Sequence, residues 1–257
     1  MFSLDLRDAV ILITGGASGI GAACARAFVA EGAIVALLDR DEAAGNALKA
    51  SLGEAALFVA ADVSDEAEVV QAVARAAEWH GHLDALVCCA GVSGPVGTPI
   101  TATSAEDWMR VLNINLGGLF NAAKHAIPWL EEGRLRSIVI LASDSSFLAY
   151  PGMAPYSASK GGALMLTRSL AVDYPALRVN CICPSVVDTP MSRRDLGMTE
   201  AQMRASQFPV IKPVQIANHV LFLTSQVSAP VNATSVVVDF GYMARPSFPQ
   251  PEFPQDA

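Results

Sequence analysis

Tyr156 and Lys160, in the run Tyr156-Ser157-Ala158-Ser159-Lys160, are the residues of this chain best suited to moving a proton. At i and i+4 of a helix they share one face, about one turn apart. A phenol with a pKa near 10 is a poor base at neutral pH, and a neighbouring ammonium favours the phenolate. Bringing it to near 7 needs about three units, or about 4 kcal/mol, which Lys160 would share with any further positive charge in the site. The same spacing arises by chance on solvated helices, so the pair takes its meaning from its surroundings. Ser143 stands thirteen positions before Tyr156, just past an apolar run from Ser137 to Ala142. Its hydroxyl suits holding or polarising a carbonyl oxygen, or capping a strand end, with Ser145 and Ser146 as competitors. A metal is not indicated, because the five cysteines lack CxxC spacing and the four histidines form no HExxH.

A second group of residues suits a phosphate. Thr14-Gly15-Gly16-Ala17-Ser18-Gly19-Ile20-Gly21 follows an apolar run and leads into an alanine-rich segment of helical length. The free amides and dipole of a helix N-terminus stabilise a pyrophosphate. Gly15 permits the tight turn, Gly19 lets a phosphate approach the backbone, and Gly21 allows close helix packing. Such loops also simply turn chains, but here the next apolar run ends in Asp39, eighteen residues past Gly21. A carboxylate there accepts hydrogen bonds from ribose hydroxyls and repels a 2′-phosphate. The expected cofactor is therefore NAD, with NADP less favoured. Arg40 would stack on adenine or, on the contrary reading, attract phosphate, and Asp39 also suits capping the helix that begins near Asp41.

Both groups need a scaffold that alternates strands and helices. Strand-like runs are Ala9 to Thr14, Ile34 to Asp39, Leu57 to Ala60, Ala85 to Cys89, Ser137 to Ala142, Arg178 to Ile182 and Ser235 to Asp239. Helical segments fall at Ile20 to Glu31, Asp41 to Leu52, Asp65 to Trp79, Ala105 to Leu130, Pro155 to Asp173 and Val214 to Leu223, with Ser64 and Ser104 as start signals. Right-handed crossovers wind this pattern into an α/β fold, a Rossmann-like doubly wound parallel sheet of about seven strands with helices on both faces. No linker interrupts it, so residues 1–245 are expected to form a single domain. The tail 246–257, with Pro246, Pro249, Pro251 and Pro254, is expected to be extended rather than helical, with disorder and docking on a neighbouring subunit as the two alternatives.

The spacing TGxxxGxG, joined to YxxxK, resembles the short-chain dehydrogenase/reductase family, and the resemblance runs along nearly the whole chain. It implies that Gly15, Ser18, Gly19, Ile20, Gly21, Asp39 and Arg40 hold the cofactor's adenosine and pyrophosphate. Asp62 and Val63 would meet the adenine, although Asp62 suits a loop cap equally. Ala90 and Gly91 would allow close approach, while Pro184, Val187 and Thr189 border the nicotinamide, Pro184 being suited to a simple turn as well. Tyr156, Lys160 and Ser143 would be catalytic. Asn115, in Asn115-Leu116-Gly117-Gly118, would hold a water that completes a proton relay, with Asn113 as its nearest rival. The implied reaction is reversible oxidation of a secondary alcohol to a ketone. The alternatives are an NADP-dependent 3-ketoacyl-carrier reductase and a non-catalytic, cofactor-responsive binding protein.

The pattern departs from the family in places. Cys88-Cys89-Ala90-Gly91 replaces Asn-Asn-Ala-Gly, exchanging two strong hydrogen-bonding amides for weak thiols and leaving open how the sheet centre is pinned. Ser185, Ala233 and Phe240 stand where glycine is common. Substrate identity is expected to lie in residues 92–103, the region after Ser143, and residues 190–213. Phe147, Tyr150, Met153, Met191, Met198 and Phe208 there suggest a hydrophobic or cyclic alcohol or ketone, with core packing as the alternative for any one of them.

Composition narrows the class further. With 52% hydrophobic and 16% charged residues the chain has material for a large core, and its apolar runs are shorter than a membrane span needs. A formal charge of −8 opposes nucleic-acid binding. No signal-like start is evident, so a cytoplasmic enzyme is expected, and the family resemblance implies a homotetramer, with a dimer as the smaller alternative.

Overall fold

Seven short runs rich in Val, Ile and Leu pair as one parallel sheet in the computed structural model, which describes residues 3–245. The strands are β1 (Val10–Thr14), β2 (Ile34–Asp39), β3 (Ala56–Ala60), β4 (Ala85–Cys88), β5 (Ser137–Leu141), β6 (Arg178–Pro184) and β7 (Ser235–Val238), in the order β3-β2-β1-β4-β5-β6-β7. The chain reverses its winding between β1 and β4, so the crevice beyond their carboxyl ends is where such sheets take ligands. The tail 246–257 lies outside the described residues.

The helices are α1 (Gly19–Ala30), α2 (Glu42–Leu52), α3 (Glu66–Glu78), α4 (Ala105–Leu112), α5 (Gly118–Leu130), α6 (Ala154–Asp173), α7 (Pro190–Leu196), α8 (Glu200–Arg204) and α9 (Pro213–Thr224). Alternate strand residues feed two cores. Val10, Leu12, Leu38, Leu86, Ile138 and Val179 pack with α3, α5 and α6. Ile11, Ile13, Val35, Leu37, Val87 and Val139 pack with α1 and α9 on the other face. Burial on both faces explains why these strands read as unbroken apolar runs. Cys24, Cys88, Cys181 and Cys183 are free and buried in these cores as small apolar side chains. No helix among the described residues is long and apolar enough to cross a membrane.

Three local expectations change. The single helix expected over Ala105 to Leu130 is broken by a π-helical turn at Asn113–Gly117, a widening that often marks functional positions. The cap of α3 is Asp65, which accepts from the amides of Ala67 and Glu68, while Ser64 donates its hydroxyl to Asp62 instead. Residues 190–213 contain two short helices with capping boxes, Thr189 with Ser192 and Thr199 with Gln202. The T-x-x-Q signature is present in the sequence at Thr199 alone, and five- and seven-residue helices leave no periodicity to read.

Candidate active site

The loop between β1 and α1 is shaped by its glycines. Gly15 has φ +64°, and a Cβ there would sit 2.6 Å from the backbone nitrogen of Ala90. At Gly21 it would sit 2.1 Å from the Gly15 carbonyl oxygen. No larger residue fits either place. Ser18 caps α1 without spending its side chain, and the first turn of α1 carries no acidic residue. The helix N-terminus therefore faces outward with free amides and a positive dipole, the donor set a pyrophosphate needs.

Asp39, at the end of β2, accepts from the amides of Ala17 and Asp41 at 3.0 Å each. It thus ties the glycine loop to the second strand. The cap of α2 is Asp41, which accepts from Ala44. Arg40 leans across to Asp62, Nη1 to Oδ2 3.8 Å. Asp62 also accepts from the Ser64 amide and hydroxyl. Partial burial raises the Asp62 carboxyl, but the Ser64 bonds and Arg40 outweigh it and hold the pKa below the usual value. The loop-cap reading of Asp62 is the one these bonds describe. Val63 is buried, and its carbonyl accepts from Asn121.

The thiols at the end of β4 do not leave the sheet unpinned. The Cys89 amide donates to the Thr14 carbonyl at 3.0 Å, and the Ala90 amide reaches Thr14 Oγ1 at 3.5 Å. Backbone pairing to β1 carries the connection the missing amides would have made.

Beyond these strand ends lies a cavity of about 280 Å³. Ser143 borders it from the end of β5, Tyr156 and Lys160 from α6, Gly91 from the end of β4, Ile20 from α1, and Pro184, Val187 and Thr189 from β6 and its loop. Residues far apart in sequence, from Gly91 to Ser143 to Lys160 and beyond, converge here because parallel crossovers return every strand in the same direction.

Lys160 is buried and donates from Nζ to the Leu141 carbonyl at 2.7 Å. That Nζ lies 5.7 Å from the centre of the Tyr156 ring. Burial pushes the Lys160 pKa down to about 8, against small raising effects of nearby thiols. Burial around the phenol pushes Tyr156 up to about 12, with the Ser143 hydroxyl opposing the rise and the carboxylates of Asp144 and Asp195 adding to it. Tyr156 as a residue keeps partial exposure through the cavity it borders.

Of the serine competitors, Ser145 borders the cavity beside Ser143 and Ser146 does not. Ser143 Oγ accepts from the Ser145 amide at 3.1 Å, whereas Ser146 turns away and donates to the Lys160 carbonyl at 2.8 Å. Asn115 is buried while Asn113 is exposed. The Asn115 amide clamps Val92, donating to its carbonyl at 2.9 Å and accepting from its amide at 2.8 Å, and also donates to Ser159 Oγ at 3.0 Å. A Cβ on Gly91 would fall 3.3 Å from Asn115 Oδ1 and 3.7 Å from Lys160 Nζ, so Asn115 and Lys160 meet at Gly91. With its amide engaged in this way, Asn115 fixes the segment after β4 directly.

Of the side chains expected to shape specificity, Tyr150, Met153 and Met191 border the cavity, as does Ser185, while Phe147, Met198 and Phe208 do not. Asp144, Asp195, Val96 and Leu196 also border the cavity, within the three regions expected to set substrate identity although none was singled out there by sequence. Asp144 had a signal, since it directly follows Ser143; Asp195 lies in a helix too short to be read. Among the described residues no group of three or more His, Cys, Asp or Glu side chains could hold a metal ion.

A glycine loop at the switch point of a doubly wound sheet, facing a buried lysine and a tyrosine, defines a dinucleotide-binding oxidoreductase. The family model described as Enoyl-(Acyl carrier protein) reductase matches residues 15–243. The cis-4-hydroxycyclohexanecarboxylate dehydrogenase of Sinomonas cyclohexanicum is 36% identical over 92% of this chain and 97% of its own. The mitochondrial borneol dehydrogenase of Lavandula x intermedia is 38% identical over 92% and 91%. The crystal structure of levodione reductase superposes with a TM-score of 0.86 at 32% identity, covering 93% of this chain and 99% of the other. The chain belongs to the short-chain dehydrogenase/reductase family and is a nicotinamide-dependent oxidoreductase acting on CH–OH groups.

Proposed function

We propose that this protein oxidises a hydrophobic, ring-bearing secondary alcohol to its ketone, reversibly, with NAD as cofactor. The observation that carries the reading is the meeting of Ser143, Tyr156 and Lys160 around one cavity whose other walls include Val96, Met153, Met191 and Leu196. Bound nicotinamide supplies the hydride acceptor or donor. Tyr156 takes the hydroxyl proton in the oxidation direction and returns it in reduction. Lys160 stabilises the phenolate, Ser143 orients the reacting oxygen, and Asn115 positions the loop at Gly91. Gly15, Ser18, Gly19, Ile20 and Gly21 cradle the pyrophosphate, with Asp62, Val63, Ala90, Pro184, Val187 and Thr189 along the rest of the cofactor.

Asp39 supports NAD, because a carboxylate at the end of β2 repels a 2′-phosphate while Arg40 is occupied by Asp62. Residues 1–245 act as one domain built on the continuous sheet. Exposed apolar side chains on α5 and α6, among them Phe120, Met165 and Val172, support a homotetramer. The unbridged cysteines fit a reducing, cytoplasmic compartment. The test is a screen of cyclic secondary alcohols followed by absorbance of reduced cofactor, with NAD and NADP side by side. Turnover with NAD at least tenfold above NADP is expected, and activity with NADP alone refutes the reading of Asp39.

A further inference from the structure

Two irregular segments contribute to the cavity wall. Residues 92–98, after β4, supply Ser93 and Val96, and residues 147–153, ahead of α6, supply Tyr150 and Met153. Each segment is held at its base. Asn115 clamps Val92, and Gly94 lies so close to the buried Val111 of α4 that a Cβ there would fall 2.5 Å from Val111 Cγ2. On the other segment the amides of Phe147 and Leu148 donate to the Asp144 carbonyl at 2.9 and 3.1 Å, and the Tyr150 hydroxyl donates to Asp144 Oδ2 at 3.0 Å. The Met153 carbonyl then accepts from the Ser157 amide in the first turn of α6.

The far ends of the two segments meet at a pair of glycines. The Thr98 amide donates to the Gly152 carbonyl at 3.3 Å. Gly152 has φ +71°, and a Cβ there would fall 2.4 Å from the carbonyl carbon of Gly97, 2.5 Å from its Cα and 2.6 Å from the Thr98 nitrogen. All three are backbone atoms, which no rotamer change can move aside. Gly97 itself has open space where its Cβ would stand. The close approach therefore depends on the missing side chain of Gly152.

We infer that this backbone contact sets the width of the substrate cleft, and that Gly152 is a positioning residue that acts through Val96. The inference rests on the reading of the cavity as the alcohol site. A side chain at position 152 would stand about 1 Å inside ordinary van der Waals contact with Gly97, so the segments must part by about that distance. The side that gives is the one bearing Gly97. Met153 and the buried Pro155 are tied into α6, whereas Gly97 is exposed and Val96 is 41% exposed. Val96 then moves off an apolar ring seated in the cleft, while Ser143, Tyr156 and Lys160 keep their places at the end of β5 and on α6. A ring that spans both walls loses that contact; a small acyclic alcohol, too short to span them, does not.

The experiment compares 4-methylcyclohexanol with propan-2-ol in the full chain at saturating NAD. Values of kcat and KM come from reduced cofactor, and the dissociation constant of the ring alcohol comes from calorimetry. Gly152→Ala is expected to raise KM and Kd for the ring alcohol about tenfold, the affinity carried by contact with one aliphatic side chain, with kcat changed less than about twofold. For propan-2-ol, kcat/KM should change less than about twofold, since that alcohol gains little from the far wall. Val96→Ala should raise the same ring-alcohol constants about five- to tenfold, and adding Gly152→Ala to it should change them less than about twofold further, because the side chain it acts through is already gone. Gly81→Ala, in the turn before β4 at φ +80° with open space about its Cβ, imposes left-handed strain without a collision. It should lower Tm and leave the ring preference unmoved. Additive effects of Gly152→Ala and Val96→Ala, equal losses with both alcohols, or a loss confined to kcat overturns the inference. Should Gly152→Ala fail to fold, Val96→Ala decides: a weakened ring preference upholds the inference and an unchanged one overturns it. A ring alcohol that binds without being oxidised, its affinity still lowered by Gly152→Ala, upholds the inference and overturns the proposed function instead. A parent protein that binds neither alcohol overturns both.

Discussion

Replacing Lys160 with methionine removes one charge and keeps a buried stem of similar length. Burial pushes Tyr156 up to about 12 and Lys160 down to about 8, so at neutral pH the phenol is protonated beside an amine that is mostly charged. A unit charge 5.7 Å from the Tyr156 ring centre interacts by about 3 kcal/mol at an effective dielectric of about 20. That is about two pKa units. Ionising the phenol in turn stabilises the ammonium, so the pair titrates together. Without Lys160 the limb of kcat/KM that rises with pH in alcohol oxidation should move about two units to the alkaline side. At pH 8 the rate should fall about 100-fold. The assay is initial-rate formation of reduced cofactor from about pH 6.5 to 10.5, at saturating NAD for each protein. The variant also leaves the Leu141 carbonyl without its donor, at a cost of about 1–3 kcal/mol, so thermal unfolding is followed in parallel. A Lys160→Met protein whose pH limb coincides with the parent's, its defect confined to a raised KM for NAD, would refute the electrostatic role.

Three further outcomes are expected. Because the folded pKa of Lys160 lies below its value in an unfolded chain, the unfolded state holds a proton that the folded state has released above about pH 8. The contribution is thus present at high pH and lost as pH falls through 8; urea midpoints should rise from pH 8 to 10 in the parent, by about 2.5 kcal/mol at most, and stay flat in Lys160→Met. Arg178 donates to the carbonyls of Leu223, Thr224 and Ser225 and to Ser228 at the end of α9, so Arg178→Met should cost about 2–4 kcal/mol in denaturant unfolding; a loss below about 0.5 kcal/mol would show that water replaces it fully. Ala233 and Phe240 both have φ +55°, in the left-handed region that L side chains enter at a cost of about 1–2 kcal/mol. Ala233→Gly and Phe240→Gly should each raise stability by about 0.5–1 kcal/mol after the entropy of glycine is counted, and a fall in Tm in both would contradict the strain.

The nucleotide loop, Asp39 and the Tyr156–Lys160 pair were legible because each is a local pattern. A tight turn demands glycine at fixed offsets, and a helix places i and i+4 on one face whatever surrounds it. The strands were legible for a related reason, since burial on both faces leaves the central ones mostly apolar, with polar residues such as Thr14, Asp39, Ser137 and Arg178 at their ends. Boundaries in residues 190–213 were not, because helices of one or two turns have no period to detect.

Other features belong to the three-dimensional fold alone. Only the convergence of β4, β5 and α6 engages Asn115 with Val92 and Ser159 and turns the helix expected over Ala105 to Leu130 into two helices joined by a π-helical turn. Burial, which the packed fold alone creates, is the main cause that raises Tyr156 and lowers Lys160. The charge on the cavity wall was likewise beyond local reading. Asp144 is an ordinary acidic residue in the chain, and it becomes the acceptor that orients Ser143 and Tyr150 because the fold closes water off from it and leaves hydroxyls as its partners. Residue types and spacing marked the groups suited to the chemistry; dielectric and proximity, which depend on how distant segments pack, decided the electrostatic setting of those groups.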